Sequence, residues 1–316
     1  MTVYNSVVSR VDAGALIPED AAREILNGVI EGSAIMRMGF RAPDMARAQR
    51  RVPVLSTLPT GYFVNGDTGL KQTTSAAWAN KYFNAEEIAV VIPISKAVLD
   101  DTDYDLWAQI KPLLVAEFGR VFDAAVLFGT NAPASWPDDL LTGATAAGNT
   151  ITAGGVGADL YDDLLGVGGV ISLAEADGYM VNGHIAALAM RAMLRGLRST
   201  DGTPLFVRSM QGSNTYELDG SPIIFPLNGA MDAAQALMFS GDWSKVVWTL
   251  RQDMTYTIAT EGVISGDNGA IVLNLFQQDS VALRAVMRVA WQVENPINRI
   301  QGTEASRYPV AVLLPA

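Results

Sequence analysis

The spacing of hydrophobic positions changes period several times along this chain, and the changes outline its elements. Ile25, Leu26, Val29 and Ile30 fall on one side of a helical wheel, with Pro18 at a first-turn position and Glu19 and Asp20 at the positive dipole end. This predicts a short helix over 18–31 in a segment that otherwise reads as an arm. From Val52 to Ile94 the period falls to two: Ile88, Val90, Ile92 and Ile94 alternate with Ala89, Val91 and Pro93, and Asn65-Gly66 upstream supplies hairpin-turn chemistry. A two-stranded hairpin of this length is marginal by itself in water, so it either folds back on its own domain or lies across a neighbour. The stretch from Ile94 to Gly129 then reads as one long helix. Leu106, Ile110, Leu114, Phe118, Phe122 and Ala125 recur at three- and four-residue spacing, four aspartates sit at its entry, and Pro112 predicts a kink or a broken first turn.

Beyond it, the uncharged span Leu140 to Ala158, rich in Gly, Thr and Asn, reads as loop and short strand. Between Asp159 and Ile264 helical and strand patterns alternate. A helix is predicted over 160–176, a strand over 179–183, a helix over 184–198, a turn at Asp201-Gly202-Thr203-Pro204, and strands around Ile223 and Val246. This makes a compact α+β domain inserted after the long helix. Finally Val281, Leu283, Ala285, Met287, Val289, Trp291 and Val293 alternate with a face carrying Arg284, Arg288 and Gln292, which predicts one long strand buried on one side against the helix.

With 316 residues, 49% of them hydrophobic and 17% charged, the chain is long enough for a large core of one or two domains. A net charge of −11 argues against nonspecific attraction to phosphate backbones. One strip departs from that balance: Arg37, Arg41, Arg47, Arg50 and Arg51 against Asp44 make a local +4 and leave about −15 for the remainder. Such contrast suits docking of one subunit's basic strip on another's acidic face. The absence of cysteine excludes disulfides, thiolate zinc sites and cysteine nucleophiles. No basic region followed by an apolar stretch opens the chain, and no run of about 18 apolar residues occurs, so no membrane role is expected.

Catalytic chemistry finds little support. The single histidine, His184, stands at the start of a predicted helix and reads as a surface or capping residue. Asp100, Asp101, Asp103 and Asp105 lack the glycine and closing glutamate of a calcium loop, and entry to a helix accounts for them; a carboxylate-dependent hydrolase using them is the alternative from a different class. Gly166, Gly168 and Gly169 do not have dinucleotide-binding spacing, and there is neither a phosphate loop nor a GxSxG elbow. No catalytic, metal or cofactor residues are assigned. One covalent possibility remains, an isopeptide bond between Lys71 or Lys81 and Asn295 or Asn298 with Glu294 taking the proton.

Taken in order, arm, hairpin, kinked helix, inserted α+β domain and closing strand resemble the major capsid proteins of tailed phages, the Hong Kong 97-type family. The residues that carry the resemblance are Ile94-Ser95, Leu99, Asp101-Thr102, Asp105-Leu106, Phe118, Asp123, Ala125, Leu127 and Gly129 in the helical region. They continue with Gly202-Thr203-Pro204-Leu205-Phe206, Leu218-Asp219-Gly220-Ser221-Pro222, Gly241-Asp242-Trp243-Ser244, and the closing run Phe276 through Asp279, Val281-Ala282-Leu283-Arg284 and Arg288. The resemblance implies an N-terminal arm over 1–52, an extended E-loop hairpin over 53–92 and a spine helix with peripheral domain over 93–158. It further implies an axial domain over 159–265, and the closing peripheral strand with C-terminal tail over 266–316. It implies pentamers and hexamers building an icosahedral shell around double-stranded DNA, in a virion assembled in bacterial cytoplasm. Portal, scaffold and decoration proteins are the implied partners. Arg47, Arg50, Arg51, Lys71, Trp78 and Lys81 are the expected assembly residues. A long N-terminal scaffolding segment is not recognised, which implies a separate scaffold or none, and the cross-linking lysine and asparagine are not carried over. The shell protein of an encapsulin nanocompartment is the alternative within the same fold.

Overall fold

The computed structural model describes residues 32–64, 69–97, 106–156, 159–198, 216–266 and 269–316. The helix predicted over 18–31, Asn65-Gly66, the aspartates of 100–105 and the turn at 201–204 lie outside the described residues.

Helix α1 (Ala34–Met38) is capped by Ser33, whose side chain accepts from the Met36 amide, and leads into the two-residue strand β1 (Phe40–Arg41). Strands β2 (Gln49–Thr57) and β3 (Ala77–Asn84) form an antiparallel hairpin. Strand β4 (Glu86–Ser95) follows, and after it helix α2 (Leu106–Phe128), which runs through Pro112. Lys96 and Ala97, directly after β4, are helical, and among the described residues the long helix runs from Leu106. Ile94 and Ser95 instead close β4, where they face Val281 and Ser280. The two-residue alternation ending at Ile94 outweighed the helix reading because Ile94 is buried, 1% exposed, at its last inward position.

Helix α3 (Leu140–Ala147) is bounded by Asp139, which accepts from the Thr142 amide, and by Gly148 at φ 84, a left-handed C-terminal position that glycine takes without a Cβ penalty. Strand β5 (Thr150–Thr152) comes next. The helix expected over 160–176 is two helices, α4 (Leu160–Leu165) and α5 (Val170–Ala176). Gly168 at φ 83 breaks them apart, and the Gly166 amide turns back to the Asp162 carbonyl. Strand β6 (Gly183–Ala186) then takes the place expected for a helix start, and α6 (Leu188–Gly196) begins after it. The remaining strands are β7 (Glu217–Leu218), β8 (Ser221–Ile224), β9 (Met238–Gly241), β10 (Val246–Ala259), β11 (Val263–Ser265), β12 (Ile271–Asn274), β13 (Ser280–Val293) and β14 (Val310–Leu314). The strands expected near Ile223 and Val246 are β8 and β10.

Two larger sheets organise these elements. One has the order β1-β10-β13-β4, and the other β5-β14-β9-β6-β8-β7; β2-β3 and β11-β12 are separate two-stranded ribbons. On the first sheet, Leu283, Ala285, Met287, Val289 and Trp291 of β13 join Phe118, Phe122 and Val126 of α2 in the largest hydrophobic cluster. The strand is not buried on one side alone, as its polar face suggested. Ala290 on the opposite face packs with Val247, Met45 and Phe83 under the root of the hairpin. The second sheet is covered on both faces, and its side chains divide with period two. Ile185, Phe239, Val310 and Val312 enter the cluster shared with α2, while Ala186, Met238, Ala311 and Leu313 pack under α4, α5 and α6. A strand covered on both faces shows no polar alternation, so GHIA did not read as one.

Candidate functional site

No active site emerges from the described residues. His184, expected at the surface, is fully buried in the middle of the second sheet. Its Nε2 lies 3.2 Å from the Leu218 carbonyl and its Nδ1 2.8 Å from Ser240 Oγ. A carbonyl only accepts, so Nε2 carries the proton and Nδ1 accepts from the serine hydroxyl. Burial pushes its pKa down to about 4, against a smaller upward pull from the Leu218 carbonyl and Asp219, so it is neutral at pH 7. Neither His184 nor Ser240 is exposed at all, so the pair meets no substrate and serves to tie β6 to β9 and β7. Among the described residues no three His, Cys, Asp or Glu side chains converge as metal ligands, and no helix is long and apolar enough to cross a membrane.

The candidate site is instead a surface, the β2–β3 hairpin. Its register sets Arg51 opposite Tyr82, Pro53 opposite Asn80 and Leu55 opposite Trp78, which places these residues on one face. Arg50, Val52, Val54, Ala79, Lys81 and Phe83 lie on the other. The second face rests on the subunit: Phe83 is 2% exposed, and Lys81 Nζ lies 3.0 Å from Glu304 Oε1. The root of the hairpin is fastened by Trp136, whose Nε1 donates to the Asn84 carbonyl at 3.0 Å while its ring meets Phe122 and Trp291 edge-on. Further out, Arg299 donates to the Pro59 carbonyl at 2.7 Å, and the Tyr62 hydroxyl reaches the Gln72 carbonyl across the ribbon. The first face is open. Trp78 is 68% exposed, Tyr82 and Tyr62 are exposed, and Phe63 and Leu70 toward the tip are almost wholly in water.

The expected assembly residues thus separate by geometry. Arg51 and Trp78 share the open face, and Lys71 is exposed in the connecting loop. Arg47 is exposed ahead of the hairpin, and Arg50 beside it donates to the Pro43 carbonyl. Lys81 alone turns inward to its own subunit's carboxylate. Arg41, earlier in the basic strip, pairs with Asp44 and lies over the Trp248 ring. Sequence reasoning missed Tyr82, although the alternation Trp78, Asn80, Tyr82 carried the signal.

Lys81, Asn295 and Glu304 line one cleft of about 230 Å³, but the asparagine amides considered for cross-linking are engaged. Asn295 accepts from the Tyr179 hydroxyl and Arg307 Nε and donates to the Arg307 carbonyl at 2.6 Å; Asn298 donates to the Asp177 carbonyl at 2.6 Å.

A spine helix laid on a sheet, a second sheet with its own helical layer, and a projecting ribbon with an uncovered aromatic face define a shell-building protein of the Hong Kong 97-type fold. The phage capsid family model matches residues 13–301. The chain belongs to the phage capsid family, and its function is that of a tailed-phage major capsid protein, a component of the virion. It is 27% identical over 273 residues to the major capsid protein of Staphylococcus phage 80alpha, covering 85% of this chain and 79% of that one. A solved structure from Microbacterium phage Oxtober96 superposes with a TM-score of 0.79 at 36% identity, over 90% of this chain and 91% of the other. One from Mycobacterium phage Adephagia gives 0.76 at 30% identity, over 98% and 99%. These matches favour the virion over the nanocompartment alternative.

Proposed function

We propose that this capsid protein assembles as pentamers and hexamers into a closed icosahedral shell around double-stranded DNA, in the host cytoplasm, and that it carries no catalytic role. The observation that carries this reading is the uncovered aromatic face of the β2–β3 hairpin. A ribbon whose inner face is tied down at its root and whose outer face leaves Trp78, Tyr82 and Phe63 in water reaches a buried state only against another molecule. The available partner of matching geometry is the adjacent copy, in an obligate interface of about 2,000–5,000 Å². Arg51, with Arg47 and Lys71 exposed near it, brings positive charge to that contact, where the rest of the chain is acidic; Trp78 supplies its apolar centre, and Arg50 and Lys81 on the inner face hold the root.

The domain reading follows the same lines: an arm over 1–52, the E-loop over 53–92, spine and peripheral domain over 93–158, the axial domain over 159–265, and closing strand with tail over 266–316. Strands β5 and β14 are the chain's contributions to the axial sheet from the flanking ranges. An inner wall that does not grip phosphate accords with the net charge of −11, and portal, scaffold and decoration proteins would act through other surfaces.

Expression of the chain alone in bacteria, followed by negative-stain microscopy and light scattering, tests the reading. Closed shells or capsomer-sized rings are expected. A monodisperse monomer, unchanged across concentration and salt, would overturn it.

A further inference from the structure

The axial sheet separates two sets of charges that no ion pair among the described residues uses. At its β5 edge, α4 presents Asp159 and Asp162, both exposed, with Val167 98% exposed just beyond. The helix is pinned there because buried Asp163 accepts from the Gly154 and Val156 amides, immediately after β5, at 2.6 and 3.0 Å. At the β7 edge, α6 carries Arg191 and Arg195 one turn apart, and Arg198 follows shortly after the helix ends. Arg191 pins this end: its guanidinium lies 4.7 Å from the centroid of the Tyr216 ring, just ahead of β7, and donates to the Tyr216 hydroxyl. Arg195, Arg198, Asp159 and Asp162 make no ion pair with any described residue. The segment from Leu188 to Arg198 holds three arginines and no acid in a chain of net charge −11. Glu217 and Asp219 on the same edge reduce this excess without cancelling it, and Met193 adds an exposed apolar side chain.

Six strands at roughly 4.8 Å spacing put the two edges about 24 Å apart. Two different and complementary surfaces on opposite edges of one domain are the requirement for a head-to-tail contact, which closes into a ring when the rotation between copies divides the circle. We propose that the α6 edge of one copy docks on the α4 edge of the next around the capsomer, with Arg195 and Arg198 facing Asp159 and Asp162, and Met193 against Val167. This rests on the ring-forming reading above and specifies which edges meet.

Two charge-reversed proteins test it. Arg195→Glu with Arg198→Glu makes both edges acidic, and Asp159→Arg with Asp162→Arg makes both basic. All four positions are exposed, and thermal melting checks that each protein folds as the wild type does. Each alone should lose ring formation by about tenfold or more, because like charges then meet across the contact. Mixed one to one, the two should recover rings in which they alternate, hence with even numbers of subunits and none with five, as read by native mass spectrometry. Rings from either variant alone at wild-type yield, or a mixture no better than its components, would overturn the edge assignment while leaving the capsid reading standing. A wild-type chain that forms no rings would overturn both.

Discussion

Asp123 illustrates what a single side chain does for the fold. It is fully buried on α2, yet accepts from Ser33 Oγ at 2.5 Å, from the Ala34 and Ile35 amides at 2.8 and 3.2 Å, and from Asn228 Nδ2 at 2.8 Å. The carboxylate therefore satisfies two of the free donors at the start of α1 and fixes where the chain leaves the arm and crosses the spine. Gly119, one turn earlier on α2, makes the crossing close: a Cβ there would lie 3.0 Å from the Gly32 backbone. Burial raises the Asp123 pKa and its four donors pull it back. Asp123→Ala leaves these donors unpaired in the core and should cost about 3 kcal/mol or more of stability, measurable as a lower urea midpoint. His184 is the complementary case, a buried group held neutral. Its folded pKa of about 4 lies below the unfolded 6.5, so its contribution is complete above pH 6.5 and is lost as pH falls toward 4, by up to about 3 kcal/mol. The wild-type melting temperature should drop between pH 7 and 5, and His184→Gln should flatten that drop; an unchanged slope would show that His184 does not carry it. Asp123 stood among the residues of the family resemblance, but its partners at Ser33 and Asn228 are 90 and 105 positions away, a distance no local pattern spans.

At the scale of elements, periodicity found β10 and β13 although both of their faces are largely covered, because each runs for 14 residues, and failed at β6, which has 4. The closing strand, the strands near Ile223 and Val246, and the apolar stripe of α2 could all be read from spacing. The end of β4 could not, because Ile94 satisfies the end of a two-residue pattern and the start of a longer one. Nor could β6, whose four residues are all buried between two cores. The hairpin shows the same limit from the other side: the alternation from Ile88 to Ile94 that suggested it belongs to β4, which pairs with β13, and only the pairing of β2 with β3 decides where the hairpin lies and which of its residues face outward. That register also sets how it should be tested. Removing Leu58 to Ser75 and the adjoining Ala76, with a short turn joining β2 to β3, spares Phe83 and the Trp136 contact. The shortened protein should melt near the wild-type temperature yet give no closed shells by negative-stain microscopy. Complete shells from it would remove the E-loop role.

At the scale of the whole molecule, the sheets share one core through α2, and the hairpin stands outside it. An acidic subunit with a basic ribbon and a basic axial edge is repelled by copies of itself in most orientations and attracted in few, which favours ordered over random association. The sequence by itself determined the α+β class, the hairpin, spine and closing strand, the family, and the absence of cysteine chemistry, because these follow from local period, composition and motif order. Tertiary structure alone decided the burial of His184, the clamp at Asp123, the inward turn of Lys81 and the opposed charges on the two axial edges. Each of these depends on which distant strands and helices become neighbours, and that is set by the joint packing of two sheets on one helix rather than by any window of the chain.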